Sequence, residues 1–356
     1  MLHGEELRGR QRLWRIVLAC VVPIGLRAQD RGVDRYVSFL AFGDVNVGRT
    51  VGQKLFEGDV EYPFELVRDT LSRADVVFVN LESQLTDQSG ETQHPRFNLI
   101  FCGPPEGAIA LREANISVVS TANNHAYDYG LKGLHETIES LRAVGITWTG
   151  TSQDSVDLIP PAVVVVDGVK IGFVGYTHFV NLKGSWQGRI AVFDERKVRQ
   201  ALTELRGTVD FIVASYHGGA EYVERPPARI RQHMRILIDA GADVVIGHHP
   251  HYVQGIEEYR GKLIFYSLGN FVFHQPQREW AQKGIGVELK LARRAKGVSL
   301  EQVRLLPVRA GLQPSFSLTV AETRALFERV RKLSNVNLQE ADGRWYVRCD
   351  EKKSGD

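Results

Sequence analysis

Cysteine is scarce, with only Cys20, Cys102 and Cys349 in 356 residues, and there are just two methionines. Three thiols so far apart make neither a disulfide framework nor the paired spacing of a zinc knuckle. Stability must therefore come from a packed core, and any metal must be held by other side chains. Cys102 and Cys349 are free to pair in an oxidising compartment, but no structural role is expected of them. Net charge is also nearly absent, with 44 basic residues against 42 acidic ones. That balance offers no footprint for nucleic acid. Residues 1–28 hold five Arg and two Glu, and without them the balance is 39 against 40. The apolar run Ile16 to Leu26 falls short of the ~20 residues a membrane span needs. It follows an Arg-rich stretch, Arg8 to Arg15, and precedes Arg27-Ala28. This order predicts an export signal or N-terminal anchor over residues 1–28. The expected location is extracytoplasmic, with membrane contact only through that segment.

What is present is a globular composition, 43% hydrophobic and 24% charged. Tyr36–Phe42, Asp75–Val79, Ile116–Ser120, Phe211–Tyr216 and Asp243–Ile246 are continuous apolar runs, as strands covered on both faces would be. Helical periodicity lies between them at Pro63–Ser72, Leu131–Ala143, Asp194–Arg206 and Pro227–Ala240. Asp167-Gly168 and Arg260-Gly261 each divide a pair of strand-like runs and predict hairpins. One strand of the second pair is expected over Tyr252–Tyr259 and the other over Lys262–Ser267, with further strands at Gly284–Leu291 and Glu301–Val308. The reading is an α/β chain of two packed mixed β-sheets flanked by helices. One domain is expected over 34–315, a helix and strand packing on it over 316–350, and a disordered tail over 351–356.

Each of the five core runs ends in polar residues. These are Asp44-Val-Asn46, Asn80-Leu-Glu82, Asn123-Asn124-His125, His217-Gly-Gly-Ala-Glu221 and His248-His249-Pro250-His251. Ligands bind at the carboxyl ends of strands in open α/β sheets, so neighbouring strands would bring the five clusters together. Singly, most have ordinary explanations: Asp44 as a turn cap, Glu82 as a helix-start charge, Asn123–His125 as a polar turn. Three imidazoles in four residues beside a rigid proline have none, because such a run rarely serves a core. Carboxylate, amide and imidazole together suit a divalent Mn, Fe or Zn ion.

In order, Gly43-Asp44, Asn80-Leu-Glu82, Ala122-Asn-Asn-His125, His217-Gly-Gly-Ala-Glu-Tyr222, Gly247-His-His-Pro-His251 and Ser267-Leu-Gly-Asn-Phe271 resemble the CapA capsule-synthesis family. That family is associated with bacterial poly-γ-glutamate synthesis and belongs to the calcineurin-like metallophosphoesterase superfamily. The resemblance spans roughly residues 36–275. It implies a four-layer sandwich with two divalent metal ions. By position, Asp44, Asn46 and His251 look like ligands of the first metal, Asn124, His217 and His249 like ligands of the second, and Glu82 like the bridge. His125 is similar to the superfamily's catalytic histidine, with Asp128 to orient it. Asn80, Asn123, Glu221, His248 and Asn270 are expected to support these residues or touch substrate. In the wider superfamily a His stands where this chain has Asn46, and an Asp where it has Glu82. Many family members carry Trp where this chain has Gly218. The implied activity is metal-activated hydrolysis of a phosphoester or γ-glutamyl bond. The implied partners are an anionic polymer or phosphoester substrate and a membrane-bound polymer synthase or export subunit. Non-catalytic accessory and general exported phosphodiesterase are the rival readings.

Overall fold

The computed structural model describes residues 35–295 and 297–348. The N-terminal segment, Cys349 and the C-terminal tail lie outside the described residues. One sheet has eight strands in the order β15 (Asn337–Ala341), β16 (Arg344–Arg348), β14 (Gly297–Arg309), β13 (Lys283–Arg294), β1 (Arg35–Val45), β2 (Val76–Leu81), β5 (Val118–Ser120) and β6 (Thr147–Thr149). The other has six, in the order β11 (Ile256–Tyr259), β12 (Lys262–Phe265), β10 (Val244–His248), β9 (Phe211–His217), β8 (Val169–Thr177) and β7 (Ala162–Val166). A small third sheet pairs β3 (Gln84–Leu85) with β4 (Cys102–Gly103).

The two large sheets are both mixed, and they face each other. Val37, Phe39 and Phe78 of the first bury against Phe173, Val213 and Ile246 of the second. On the outer face of the first sheet, α1 (Arg49–Phe56), α2 (Arg68–Leu71), α3 (Glu106–Glu113) and α4 (Gly130–Ala143) contribute Val51, Leu55, Leu71, Leu111 and Leu141 to a second core. On the outer face of the second, α5 (Glu195–Arg206) and α6 (Ala228–Asp239) contribute Val198, Leu202, Met234 and Leu237. These are four layers, as the alternation of strand and helix predicts. Strands β2, β9 and β10 are buried throughout because helices cover one face and the opposing sheet the other. Near one end of the sheet pair, α7 (Val320–Leu333) adds Leu326, Phe327 and Val330 to the core between the sheets. A capping box of Thr319 and Glu322 starts it.

Both expected hairpins form. Asp167-Gly168 and Arg260-Gly261 take the positive φ values that a two-residue primed turn requires. Three local expectations are corrected. Within Pro63–Ser72 only Arg68–Leu71 is helical, because tight turns such as Phe64 N–H to Glu61 O take up the preceding residues. The strand expected over Tyr252–Tyr259 starts at Ile256, since the preceding residues emerge from a positive-φ segment at His249 and His251. Short helices α1 and α3 stand where no helix was expected.

A segment after β12 stitches the two large sheets together at the ends that carry the polar clusters. Asp44 N–H donates to Gly269 O at 3.0 Å, and Phe271 N–H donates to Asp44 O at 2.9 Å. Leu268 N–H donates to Gly247 O at 3.2 Å. Such close passage requires glycine: a Cβ on Gly43 would lie 1.8 Å from Gly269 O. Gly43→Ala should therefore destabilise the protein by ~3 kcal/mol or more through forced backbone displacement. Thr319→Ala, which removes a helix cap outside this junction, should cost about 1 kcal/mol. Urea unfolding of the two variants measures the contrast, and equal midpoints would refute it.

Candidate metal centre

Strand register places the polar residues side by side. In the first sheet Asp44 pairs with Asn80, just after a bulge in β1, and Glu82 follows the end of β2. In the second, His217 at the end of β9 pairs with His248 at the end of β10. Asp44, Glu82, His217 and His248 are fully buried, and Asn124, His125, His249 and His251 nearly so.

Hydrogen bonds aim these side chains. Asn270 donates its amide to Gln275 Oε1 and Ala281 O, which leaves its Oδ1 2.9 Å from His251 Nδ1. His251 Nδ1 thereby donates to Asn270, and its Nε2 lies 4.0 Å from Glu82 Oε1. His217 Nε2 lies 3.6 Å from the same oxygen and 2.6 Å from Asn124 Oδ1. Asn80 Nδ2 donates to Asp44 Oδ1 at 2.8 Å and lies 3.1 Å from His217 Nδ1. Asn123 donates to Leu81 O and accepts His125 N–H, which ties the third cluster to the end of β2. His249 and His251 both hold positive φ, at 95° and 57°, a backbone strain of order 1–3 kcal/mol each.

Two sets of ligand atoms each lie within 4.8 Å of one another: Glu82, His217 and His249, and Asp44, Glu82 and His251. Glu82 belongs to both. Its two oxygens are buried without any hydrogen-bond donor, and His249 Nδ1 is likewise unpartnered. A buried carboxylate in that condition needs a counter-charge, and a divalent ion between such groups supplies one. The donor set fits that role. Burial, then the nearby charges of Asp44, Glu221 and Asp128, push the Glu82 carboxyl well above its ordinary value. Burial also acts to raise Asp44, but hydrogen bonds and charge from His248 and His251 outweigh it and hold that carboxyl well below the usual range.

The remaining expected residues fall in distinct places. His125 Nδ1 is 2.7 Å from Asp128 Oδ2, and its Nε2 is 3.9 Å from Glu82 Oε1. His248 Nδ1 is 3.5 Å from Asp44 Oδ1. Glu221 is exposed on the wall of the cleft above the cluster. Asn46 departs from its expected role: its Oδ1 accepts Gly48 N–H at 2.8 Å and caps its own loop, because the chain turns there to begin α1. Sequence reasoning missed Asn181, whose Oδ1 lies 3.2 Å from Asn124 Nδ2 and so turns Asn124 Oδ1 towards His217. It also missed Phe101, stacked on His125 at 3.9 Å. Neither stands at a strand end, so no pattern marks them.

The family profile described as "Bacterial capsule synthesis protein PGA_cap" matches residues 38–275. The chain belongs to this family. The CapA capsule biosynthesis protein of Bacillus anthracis is 30% identical over 269 residues, covering 72% of this chain and 63% of that protein. The CapA PGA biosynthesis protein of Bacillus subtilis is 32% identical over 247 residues, covering 68% and 64%. A Mycobacterium tuberculosis protein named "probable polyglutamine synthesis accessory protein" is 30% identical over 214 residues, covering 56% and 55%. The chain spans a little under two-thirds of the length of the two CapA proteins.

All the site residues named above fall within the segment that matches the capsule-synthesis family. Its imidazoles give the centre a pH dependence. Burial and the charge of His251 lower His249 to about 3, and burial beside His249 takes His217 well below its ordinary value. Both rings stay neutral in the fold and gain a proton on unfolding below pH 6.5. The stability that these two imidazoles contribute to the metal-free protein is therefore lost as pH falls from 6.5 towards about 3, while the raised Glu82 carboxyl contributes with the opposite sign. For His249 alone the loss between pH 7 and pH 5 is about 2 kcal/mol. Unfolding in chelator at those two pH values measures it. His249→Asn should shrink the difference, and an unchanged difference would contradict the assignment.

Proposed function

We propose that this chain is an exported, metal-dependent hydrolase of capsular poly-γ-glutamate synthesis or cell-envelope processing, cleaving a phosphoester or γ-glutamyl bond. The observation that carries this reading is Glu82, a buried carboxylate without a donor, shared by two sets of ligands and facing His125. The names of the CapA relatives support the polymer context. In this reading two divalent ions, Mn, Fe or Zn, are held by Asp44, Glu82 and His251 and by Glu82, Asn124, His217 and His249. When bound, such ions polarise a phosphoryl or acyl oxygen and lower the pKa of an attacking water.

The chain's own residues supply the rest. Asp128 Oδ2 accepts from His125 Nδ1 and also from Phe101 N–H at 2.6 Å, so it is itself held in place. The stacked Phe101 ring fixes the plane of the imidazole. His125 Nε2 is then directed at the centre, where it donates a proton to the departing oxygen or nitrogen. Asp128 stabilises the imidazolium that makes this donation. The reading places the protein outside the cytoplasm, beside a membrane-bound polymer synthase or export subunit. Among the described residues no helix is long and apolar enough to cross a membrane.

A second reading, a non-catalytic accessory that keeps its metal for folding or polymer binding, is favoured by Asn46 turning away to Gly48. Activity separates the two. With Mn²⁺ loaded, His125→Ala should retain metal and lose roughly 10²–10⁴-fold in kcat on a phenyl phosphodiester or γ-glutamyl anilide, whose basic leaving groups need the proton. Asp44→Ala and His249→Ala should lose metal itself, measured by elemental analysis. Wild-type protein that binds metal and turns over neither substrate would establish the accessory reading instead.

A further inference from the structure

Eleven large apolar side chains are exposed among the described residues, and four of them converge on one cleft. Phe97 (56% exposed) and Leu99 (71%) stand on the segment between β3 and β4. Phe179 (36%) and Leu182 (37%) stand on the segment after β8. The cleft has a volume of about 470 Å³, and Asn124, His125, His249 and His251 also line it. Phe179 meets the His249 ring edge to face at 5.4 Å, so the apolar lip reaches the ligand cluster itself. Glu221, Tyr222 and Gln275 add polar groups to the lining.

Connecting segments normally present polar residues to water, and a contiguous exposed apolar patch marks a binding surface. The four side chains of this patch carry no donor or acceptor, and Asn181 between them spends its Oδ1 on Asn124, so the patch offers little with which to read the edge of a base or a sugar hydroxyl. It offers only apolar area, which a hydrocarbon chain would cover. The adjoining cluster offers the opposite chemistry, a place for an anionic or carbonyl group.

We infer that the substrate is an anionic ester or amide that carries a hydrocarbon chain. Its scissile group lies over the His249 and His251 floor, and its chain lies along Phe97, Leu99, Phe179 and Leu182. This rests on the hydrolytic reading above and narrows it. A bare polyglutamate strand, charged at every residue, would leave the lip uncovered. An acyl chain and an isoprenoid chain share the required chemistry.

The test uses the full chain loaded with Mn²⁺ and a series of methyl, butyl, octyl and geranyl 4-nitrophenyl phosphodiesters. KM should fall about two- to fourfold per added methylene at the start of the series, with kcat little changed. Calorimetric binding of methyl-, butyl- and octylphosphonate should follow the same order without turnover. The double variant Phe97→Ser, Leu99→Ser changes only exposed side chains. It should flatten both series while metal content and methyl-ester turnover stay within about twofold of wild type. Octyl and geranyl esters of unequal KM would distinguish the two chain sources, with either one gaining over methyl as support. A working methyl ester with a flat series overturns this proposal alone. Failure of every ester and phosphonate, methyl included, overturns this proposal, and failure of the γ-glutamyl anilide as well overturns the hydrolytic reading with it.

Discussion

Glu82 brings a carboxylate to the end of a strand that is covered on both faces, into a place where neither oxygen meets a hydrogen-bond donor. The side chain has no way out, because β2 runs parallel between β1 and β5 and its register fixes where residue 82 emerges. Ionised, it would cost several kcal/mol of uncompensated desolvation. Protonated, its side-chain acceptor is the neighbouring Asp44 carboxylate, and the site then loses the charge that Glu82 would otherwise carry. The surrounding residues are arranged as partners for something other than Glu82. Imidazole nitrogens of His125, His217 and His251 stand 3.6–4.0 Å from Oε1, beyond hydrogen bonding and at the spacing of groups that share a cation. Asp44 shows the contrast. Equally buried, it is held by Asn80 and by two histidines, and so remains a carboxylate without outside help.

Assembling these groups imposes strain that the fold has to carry. His249 and His251 sit in left-handed backbone conformations that only a well-determined environment maintains. The determination comes from the stitching segment, where Asn270 holds His251 and Asp44 bonds to Gly269 and Phe271. Its close passage is affordable only at glycine. The cores on both sides of each sheet then supply the stability that lets a local arrangement this unfavourable persist. Pre-positioned ligands are the gain, since a cation entering the site needs little rearrangement of the chain.

Much of the centre was legible because its logic is local. A buried strand followed at once by Asp, Glu, Asn or His is visible in one window of sequence, and five such windows imply convergence if the strands are neighbours. The His248-His249-Pro250-His251 run was the clearest, since a core has little use for three imidazoles. What was not legible depends on the paths of loops. Asn46 was read as a ligand by its distance from Asp44, yet its direction is set by the turn into α1 and its bond to Gly48. Asn181 reaches Asn124 from 57 positions away, across a segment with no periodicity to place it. Phe97 and Leu99 were silent for the opposite reason, because apolar residues in sequence read as core until a structure shows them exposed. Helices α1 and α3 are eight residues each, too short for an apolar stripe to stand out.

The two ligand sets are unlike in a way that bears on how they would fill. The set with His217 and His249, with Asn124 beside it, is rich in donor atoms but has only neutral ones apart from Glu82. The set with Asp44 and His251 is poorer in donors, because Asn46 Oδ1 is taken up by Gly48 N–H, but it carries a carboxylate that is charged in its own right. One position is thus furnished by coordination number and the other by charge. Glu82 is the anion they share. A cation on either side would lower the cost of ionising it, and the ionised carboxylate would then attract a second cation against the repulsion of the first. Which of these opposed terms prevails is decided at one residue, so neither position can be understood as a site independent of its neighbour.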